Sequence, residues 1–272
     1  MALKGIVHGP EIIPPIILLN AVHGFGKSSW AASAGEAGFK PIFVATENVS
    51  QIDADKFPVA KTLEEFGDNL RQLKEEKHDY KCVVIDTLDF LEALVWEYIC
   101  RTRVGDKGQR YNAISDFPYG KGYALADDVF GAMFKALQAL RDERKMMVVM
   151  LCHAGVRTAA EPGMEAYDTY QPKLHTNSKG AGVGATVQEM ADVVLFGAQR
   201  KFLKHEDNGM QTRNVMTGVG ERTLYTEAGA GWAAKNRYSL PPEIPLGDGK
   251  KSHFNIFWNA MLASEVFSKK EN

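Results

Sequence analysis

Residues 21–28 read AVHGFGKS and fit a phosphate-binding pattern: Ala or Gly, four residues of any type, then Gly-Lys and Ser or Thr. Gly24 and Gly26 let the backbone bend so that its N–H groups point at phosphate oxygens. Lys27 is predicted to reach the β- and γ-phosphates, and Ser28 to offer its hydroxyl to Mg²⁺. The alternative is a chance glycine turn. The predicted cofactors are ATP and Mg²⁺, with nucleotide contacts from Ala21, Val22, His23, Gly24, Phe25, Gly26, Lys27, Ser28 and Ser29.

Other polar residues stand at or just beyond the ends of further apolar runs, and their side chains suit phosphate chemistry. Asp86 follows the run 82–85 and is predicted to hold Mg²⁺; the alternative is an N-cap for the next helix. Glu47 follows the run 41–45 after one threonine, as a candidate to polarise the water that attacks the γ-phosphate or as a surface residue in a turn. His153 follows the run 146–152, as a γ-phosphate sensor or an ordinary polar strand end. Asp89 is predicted to be an exposed carboxylate in the first turn of a helix.

Strands and helices alternate along the chain, which predicts a parallel sheet covered on both faces. The apolar runs typical of buried strands are 16–19, 41–45, 82–85, 146–152 and 193–196. Helices are predicted at 28–37, 62–77, 91–99, 127–141 and 254–267, and loops at 101–121 and 154–182. Because ligands of open parallel sheets bind at the carboxyl ends of the strands, the loop 21–28 and the three polar strand ends should meet at one edge.

In this order along the chain, the residues resemble the RecA-like ATPase superfamily of recombinases, DnaB-type helicases and KaiC-like proteins. The resemblance assigns a catalytic glutamate to Glu47, a metal-binding aspartate to Asp86 and a γ-phosphate sensor to His153, where the recombinases have Gln. It also assigns a basic finger to Lys235 and Arg237. It implies an α/β fold: a RecA-like P-loop NTPase core, with a mostly parallel twisted sheet and helices on both faces.

More narrowly, the chain is similar to phage ATPases that consist of a bare RecA core and act in single-strand annealing or recombination. The similar stretches are 116–123 (DFPYGKGY), 170–174 (YQPKL), 189–196 (EMADVVLF) and 234–237 (AKNR). The resemblance implies a protein that binds and hydrolyses ATP, binds single-stranded DNA, and assembles with itself into a ring or filament. A single-strand-binding protein is a further implied partner.

Lys235 and Arg237 are two residues apart, so on a strand their side chains would point to the same side. In the superfamily this pair reaches the nucleotide of the neighbouring subunit and neutralises charge in the transition state. The alternative is a solvated basic turn before Pro241 and Pro242.

The two predicted loops differ in charge, and this bears on nucleic-acid binding. Residues 101–121 contain five basic and two acidic residues interleaved with aromatic ones, as single-strand binding requires. Residues 154–182 contain three basic and three acidic residues. The predicted nucleic-acid contacts are Arg101, Arg103, Lys107, Arg110, Tyr119, Lys121, Arg157 and Lys173. The alternative is that both segments are ordinary surface loops.

Composition and net charge limit the classes of protein to which the chain can belong. The chain has 272 residues, of which 45% are hydrophobic and 24% charged, with a net charge of −2, so no global basic field attracts nucleic acid. Without an internal repeat, a single domain over 1–272 is expected, with a core at about 15–245 and a C-terminal helix at about 252–268. Three cysteines without a CxxC pair and no membrane-length apolar run predict a cytoplasmic protein, in the host cell if phage-encoded.

Three other functions use the same phosphate-binding loop. A helicase or packaging motor would share the core and differ in assembly and strand displacement. A nucleotide-gated oligomeric switch would hydrolyse slowly and ignore DNA. A small-molecule kinase would need an arginine-bearing lid over the phosphates, and the sequence has no clear candidate for one.

Overall fold

The computed structural model describes residues 13–105, 108–160, 163–199, 202–207, 212–217, 221–247, 254–264 and 266. The strands are β1 Ile16–Ala21, β2 Pro41–Ala45, β3 Asp55–Lys56, β4 Cys82–Asp86, β5 Met147–Ala159, β6 Tyr167–Pro172, β7 Val193–Gln199, β8 Phe202–Asp207, β9 Thr212–Thr217, β10 Arg222–Tyr225, β11 Lys235–Asn236 and β12 Glu243–Pro245. The helices are α1 Lys27–Ala32, α2 Leu63–Glu75, α3 Leu88–Thr102, α4 Lys121–Arg144, α5 Val183–Met190 and α6 Phe254–Leu262.

The main sheet has the strand order β12-β10-β7-β1-β5-β4-β2-β3. From β7 to β3 all neighbours are parallel, whereas β10, β11 and β12 are antiparallel additions at one side. β1 lies at the centre, and β5 separates it from β4. This order brings the ends of β1, β5, β4 and β2 side by side at one edge, which is where the sequence places its polar strand ends.

Helices cover both faces of the sheet, so the central strands are buried on both sides, as their continuous apolar runs predict. On one face, α2, α3, α4 and α5 pack on alternate strand residues such as Leu18 and Ile85. On the other face, α1 and α6 pack on residues such as Leu19 and Val84. Within the described residues, no helix combines the length and the apolar composition that crossing a bilayer requires.

The ends of α2 follow from its sequence. Thr62 is the N-cap, and its side chain accepts a hydrogen bond from the backbone N–H of Glu65. The Glu65 carboxylate in turn accepts the backbone N–H of Lys61, which satisfies a second free donor at this end. Further along, Phe66 and Leu70, four residues apart, are buried on the sheet side. The predicted helix 62–77 is therefore observed with its boundaries moved by one or two residues.

Two predictions about the segments near the site are wrong. Residues 154–182 are not one loop, because β5 continues to Ala159 and forms an antiparallel hairpin with β6. Beyond His153, β5 extends past the helices that cover the sheet, so its residues there need not form an apolar run. The fourth long helix begins at Lys121 rather than Asp127, directly after Gly120, whose φ is 72°. Gly122 packs so closely on the carbonyl of Ile114 that a Cβ would lie 2.5 Å from it.

The C-terminal helix contributes to the core. Phe254, Phe257 and Met261 of α6 are fully buried, and Phe254 packs on Trp30 of α1 with ring centroids 4.8 Å apart. The backbone N–H of Phe254 donates to the Ser33 hydroxyl at the end of α1. These contacts agree with the core-packing interpretation of the apolar residues in this helix.

Asp192 connects three elements at the amino end of the sheet, and its loss is expected to be costly. Its carboxylate accepts the backbone N–H of Ile16 at 2.9 Å and a hydrogen bond from Arg237 at 3.1 Å, with 10% of the side chain exposed. We expect Asp192→Ala to lower the free energy of unfolding by about 2–3 kcal/mol, because a buried N–H donor loses a charged acceptor. Urea unfolding measures this, and Glu189→Ala, an exposed neighbour, should change stability by less than about 0.5 kcal/mol.

Candidate active site

Residues 22–26 form the turn between β1 and α1, called the cradle below, and expose His23 and Gly24 to solvent. Gly24 and Gly26 adopt φ values of 74° and 89°, in the left-handed region that favours glycine. The backbone N–H of Val22 donates to the carbonyl of Gly197 on β7 at 3.2 Å, and that of Trp30 donates to Gly26 at 2.9 Å as α1 begins. The turn therefore leads straight into a helix N-terminus, the geometry that binds phosphate.

Lys27 is buried beneath this cradle, with 7% of its surface exposed. Burial lowers the pKa of its ammonium, while the carboxylates of Asp89, Asp86 and Glu47 act in the opposite direction. Because burial removes the hydration of this cation, a bound anion such as a phosphate group would stabilise its charged form.

Asp86, at the end of β4, is completely buried, and neither of its carboxylate oxygens has a hydrogen-bond partner among the described residues. Burial raises its pKa to about 6, against the opposing effects of the nearby Ser28 hydroxyl and the Lys27 ammonium. The N-cap of α3 is Thr87, so the alternative role of Asp86 as an N-cap is wrong. An unpartnered carboxylate beside a hydroxyl has the donor set that Mg²⁺ prefers, and the site fits that ion.

Glu47 is held next to Asp86 by the residue that precedes it. Thr46 donates its backbone N–H to the carbonyl of Asp86 at 2.8 Å. Its hydroxyl donates to the carbonyl of Thr87 at 2.9 Å and accepts the N–H of Thr87 at 3.1 Å. These three bonds join the ends of β2 and β4. Glu47 is half-buried at this junction, and its charge raises the pKa of both Lys27 and Asp86.

His153 lies beside the cradle, opposite Ala21 in the register of β5 and β1. Its ring is 4.7 Å from that of His23, centroid to centroid. The prediction that Asp89 is an exposed carboxylate is wrong, since only 8% of its side chain is exposed. Instead, Asp89 faces the His153 ring, with its Oδ2 2.9 Å from Nδ1. A helix-dipole argument could not show this, because the partner is 64 residues away.

Lys235 and Arg237 lie at the other end of the sheet. Lys235 on β11 pairs with Val194, three residues before Gly197, which pairs with Ala21. At about 3.3 Å per residue, its backbone is roughly 10 Å from the strand end that carries the cradle. Lys235 donates to the carbonyls of Gln188 and Glu189 at the C-terminal end of α5.

Arg237 is 58% exposed at the side chain and pairs with Asp192 at 3.1 Å. The structure therefore brings together Lys27, Ser28, Glu47, Asp86 and His153, and leaves the basic pair of the same chain outside this group.

The predicted nucleic-acid residues have different surroundings. Arg101 pairs with Glu64 of α2 at 2.6 Å, and Arg157 donates inward to the carbonyl of Leu174. Lys107 lies outside the described residues. The remaining five are exposed: Arg103, Arg110, Tyr119, Lys121 and Lys173.

The sequence patterns gave neither Asp89 nor Thr46 a role in the site that both residues shape. Asp89 stands three residues after Asp86, and Thr46 stands directly before Glu47. A polar residue flanking a predicted site residue at a strand end is the one signal that could have pointed to either.

Comparison with known proteins identifies the family. The model of the AAA domain family matches residues 13–238, a range that includes all the site residues above. The chain belongs to the AAA domain family. This AAA domain protein is a P-loop ATPase, and its fold is the predicted RecA-like core, with a mostly parallel sheet between two layers of helices.

Two solved structures are similar to this AAA domain protein. The crystal structure of the RadB recombinase is 10% identical, covers 87% of this chain and 90% of its own, and has a TM-score of 0.48. The crystal structure of the KaiC-like protein PH0186 from Pyrococcus horikoshii OT3 is 11% identical, covers 87% and 88%, and has a TM-score of 0.41. No curated protein matches the chain.

The buried carboxylate of Asp86 is expected to lower the free energy of unfolding of the protein above pH 6. Its pKa rises from an ordinary 3.8 to about 6, so above pH 6 the folded state holds a buried charge that the unfolded state solvates. We expect Asp86→Asn to raise the free energy of unfolding at pH 8, without Mg²⁺, by up to roughly 3 kcal/mol. The gain should shrink as the pH falls through 6 towards 4, near the ordinary pKa of 3.8, where the folded carboxyl is protonated and the unfolded one is only partly ionised. Urea unfolding at pH 8 and pH 4 tests this, with the exposed Asp68→Asn as the control; an equal effect at both values would contradict it.

Proposed function

We propose that the protein hydrolyses ATP with Mg²⁺ inside a homo-oligomer, a ring or a filament, and that single-stranded DNA stimulates it during recombination or strand annealing. One observation carries the catalytic part of this proposal. Five side chains that suit phosphoryl transfer converge at the carboxyl edge of the sheet, whereas the basic pair of the same chain lies at the opposite end.

Each residue has a chemical task in this scheme. The backbone N–H groups of Gly24, Gly26, Lys27 and Ser28 and the Lys27 ammonium bind the β- and γ-phosphates. Ser28 and Asp86 would hold Mg²⁺, which would neutralise charge on the same phosphates. Glu47 accepts a hydrogen bond from the attacking water and orients it towards the γ-phosphorus. His153 contacts the γ-phosphate from the β5 side.

The scheme needs positive charge from a second copy. The backbone of Lys235 lies roughly 10 Å from the strand end of its own chain that carries the cradle, and Arg237 lies further away. Both side chains are held by groups at or just beyond the end of α5. Arg237 is more than half exposed at the surface, so a neighbouring site can reach it. A cation supplied in trans stabilises the charge of the transition state and makes turnover depend on assembly.

The DNA part of the proposal is supported by the segment before α4. Tyr119 is fully exposed and has a φ of 56°, an unusual conformation for an aromatic residue outside glycine turns. Arg103, Arg110 and Lys121 are exposed in the same segment. Cations for phosphates and an aromatic face for a base are the two components of single-strand binding.

A ring contact just beyond the first predicted DNA segment, 101–121, connects it to the second, 154–182. Tyr123 on α4 stacks on His175 with centroids 3.8 Å apart and an interplanar angle of 6°. Lys121 and Lys173 are each two residues from this stack, so the ends of both predicted DNA segments lie close together. A single strand that crossed the stack would meet exposed cations from both sides.

The test is ATP turnover with and without single-stranded DNA, at fixed salt. We expect DNA to stimulate the wild type, and Arg103→Ala/Arg110→Ala to lower DNA affinity at least tenfold, since each lost phosphate contact weakens binding. The variant Lys77→Ala/Lys135→Ala removes the same charge from other exposed positions and should keep both properties. Turnover that ignores DNA, without DNA binding at modest salt, would favour the nucleotide-gated switch. Strand displacement coupled to ATP would favour the helicase or packaging motor.

A further inference from the structure

Asp89 is a buried acid in the site that the scheme above does not use. Its carboxylate holds His153 in two ways: Oδ1 accepts the backbone N–H at 3.1 Å, and Oδ2 lies 2.9 Å from ring Nδ1. The exposed fraction is 8% for the Asp89 side chain and 14% for that of His153. Burial by itself would raise the pKa of Asp89, but the hydrogen bonds from His153 hold it below the ordinary value. Asp89 is therefore an ionised acceptor.

The ionised carboxylate determines where the imidazole carries its proton. Because a carboxylate only accepts hydrogen bonds, the Nδ1 of His153 must be the donor. A neutral imidazole has one N–H, so Nε2 would then have a lone pair, which repels a phosphate oxygen. Nε2 can donate to a phosphate only when the ring takes up a second proton, and the negative charge of Asp89 stabilises that cation.

Nε2 is the ring nitrogen of His153 that Asp89 does not contact. The ring lies 4.7 Å from that of His23 in the cradle and 6.4 Å from that of Phe90 on α3, both measured between centroids. Within the described part of the chain, Nε2 takes part in no hydrogen bond. Besides His23 and Asp89, the charged groups at this edge are Lys27 from α1, Asp86 from β4 and Glu47 from beyond β2.

We propose that Asp89 is a positioning residue: it holds His153 with Nδ1–H towards the carboxylate, so that a doubly protonated ring donates Nε2–H to the γ-phosphate of a bound triphosphate. This rests on the proposed function, because it needs ATP at residues 21–28. The second proton comes from solvent when the triphosphate binds and returns when the γ-phosphate leaves. A diphosphate offers no acceptor at this position, so the pair distinguishes the two nucleotides.

The test compares the dissociation constants of Mg·ADP and of Mg·adenylyl-imidodiphosphate between pH 6 and pH 8. In wild type the Mg·ADP constant divided by the Mg·adenylyl-imidodiphosphate constant measures the preference for the triphosphate. This ratio should fall about tenfold in Asp89→Asn at pH 6.5, to the level of His153→Ala, and it should fall no further in the double variant. The wild-type ratio should grow as the pH falls, and this growth should be lost in Asp89→Asn. The phosphates of the nucleotides also titrate in this pH range, but they do so equally for every variant, so the effect cancels when variants are compared. Glu92→Gln is the matched control: Glu92 is also buried, one turn further along α3, and accepts the N–H of His175 at 2.8 Å.

Each result separates this inference from the proposed function. A wild type that binds neither nucleotide overturns both. If the wild type prefers the triphosphate and Asp89→Asn shows the same preference and the same pH dependence, only the role of Asp89 is overturned.

A measurement on the wild type covers the case in which Asp89→Asn does not fold. In protein labelled with ¹⁵N at histidine, with the His153 signals assigned by difference from His153→Ala, Nδ1 should carry the proton without nucleotide. Both ring nitrogens should carry protons with adenylyl-imidodiphosphate at pH 6.5. A proton on Nε2 alone, or an Nε2 that stays unprotonated in the complex, contradicts the proposal.

Discussion

Glu47→Gln is expected to lower kcat for ATP by about three orders of magnitude, because an amide cannot orient and deprotonate the attacking water as a carboxylate does. The dissociation constant of Mg·ATP should stay within about twofold, because the proposed scheme assigns Glu47 to the attacking water and not to the phosphates. Thr46 holds the backbone at this position through its own hydrogen bonds, so the substitution should leave the site intact.

Steady-state turnover together with equilibrium binding distinguishes this role from a structural one. Glu76→Gln, an exposed glutamate at the end of α2, is the matched control and should behave as wild type. If Glu47→Gln hydrolyses ATP at the wild-type rate, the water is activated elsewhere and the assignment of Glu47 fails.

Removing Lys235 and Arg237 should lower kcat as strongly, and a partner chain that keeps both residues should restore activity. In Lys235→Ala/Arg237→Ala we expect kcat to fall about 10³-fold with ATP binding retained, since a finger cation in trans contributes factors of this size. Lys27→Ala has the opposite defect: it has no working phosphate site but keeps its basic pair. Each variant alone should therefore be inactive.

Mixing the two variants tests the trans arrangement. At equal amounts and random assembly, about a quarter of the interfaces join an intact site to an intact basic pair, so activity should return to about a quarter of wild type. Melting curves must first show that the double variant folds, because Arg237 also pairs with Asp192. Mixed oligomers that form but stay inactive would contradict the role in trans, as would wild-type activity in the double variant.

The sheet and its polar strand ends could be predicted because both depend on local sequence. Strands buried on two faces need unbroken apolar runs, and such runs end sharply at Asp86 and His153. The hairpin of β5 and β6 was not predictable in this way. Beyond His153 the strand leaves the helix layers, its residues alternate in exposure, and its hydrogen bonds to β6 alone define it.

The contacts made by the site residues depend on distant parts of the chain. Asp89 looks like a first-turn carboxylate from its neighbours in sequence, and only the fold brings His153 to it. Lys235 was predicted as a finger from the resemblance, but its bonds to the carbonyls at the end of α5 join residues 46 and 47 positions apart. No local pattern encodes such pairs, because helix packing determines them.

Titration of the wild type and Lys27→Ala with Mg·ATP tests the central claim most directly: residues 21–28 bind the triphosphate, with one ammonium under the cradle. The account predicts one saturable site per wild-type chain and an affinity at least 100-fold lower in Lys27→Ala, because a buried charge-assisted contact to phosphate is lost. Lys81→Ala, which removes an exposed lysine, should bind as wild type does. Equal affinity of Lys27→Ala and wild type, or no binding by the wild type, would contradict the account.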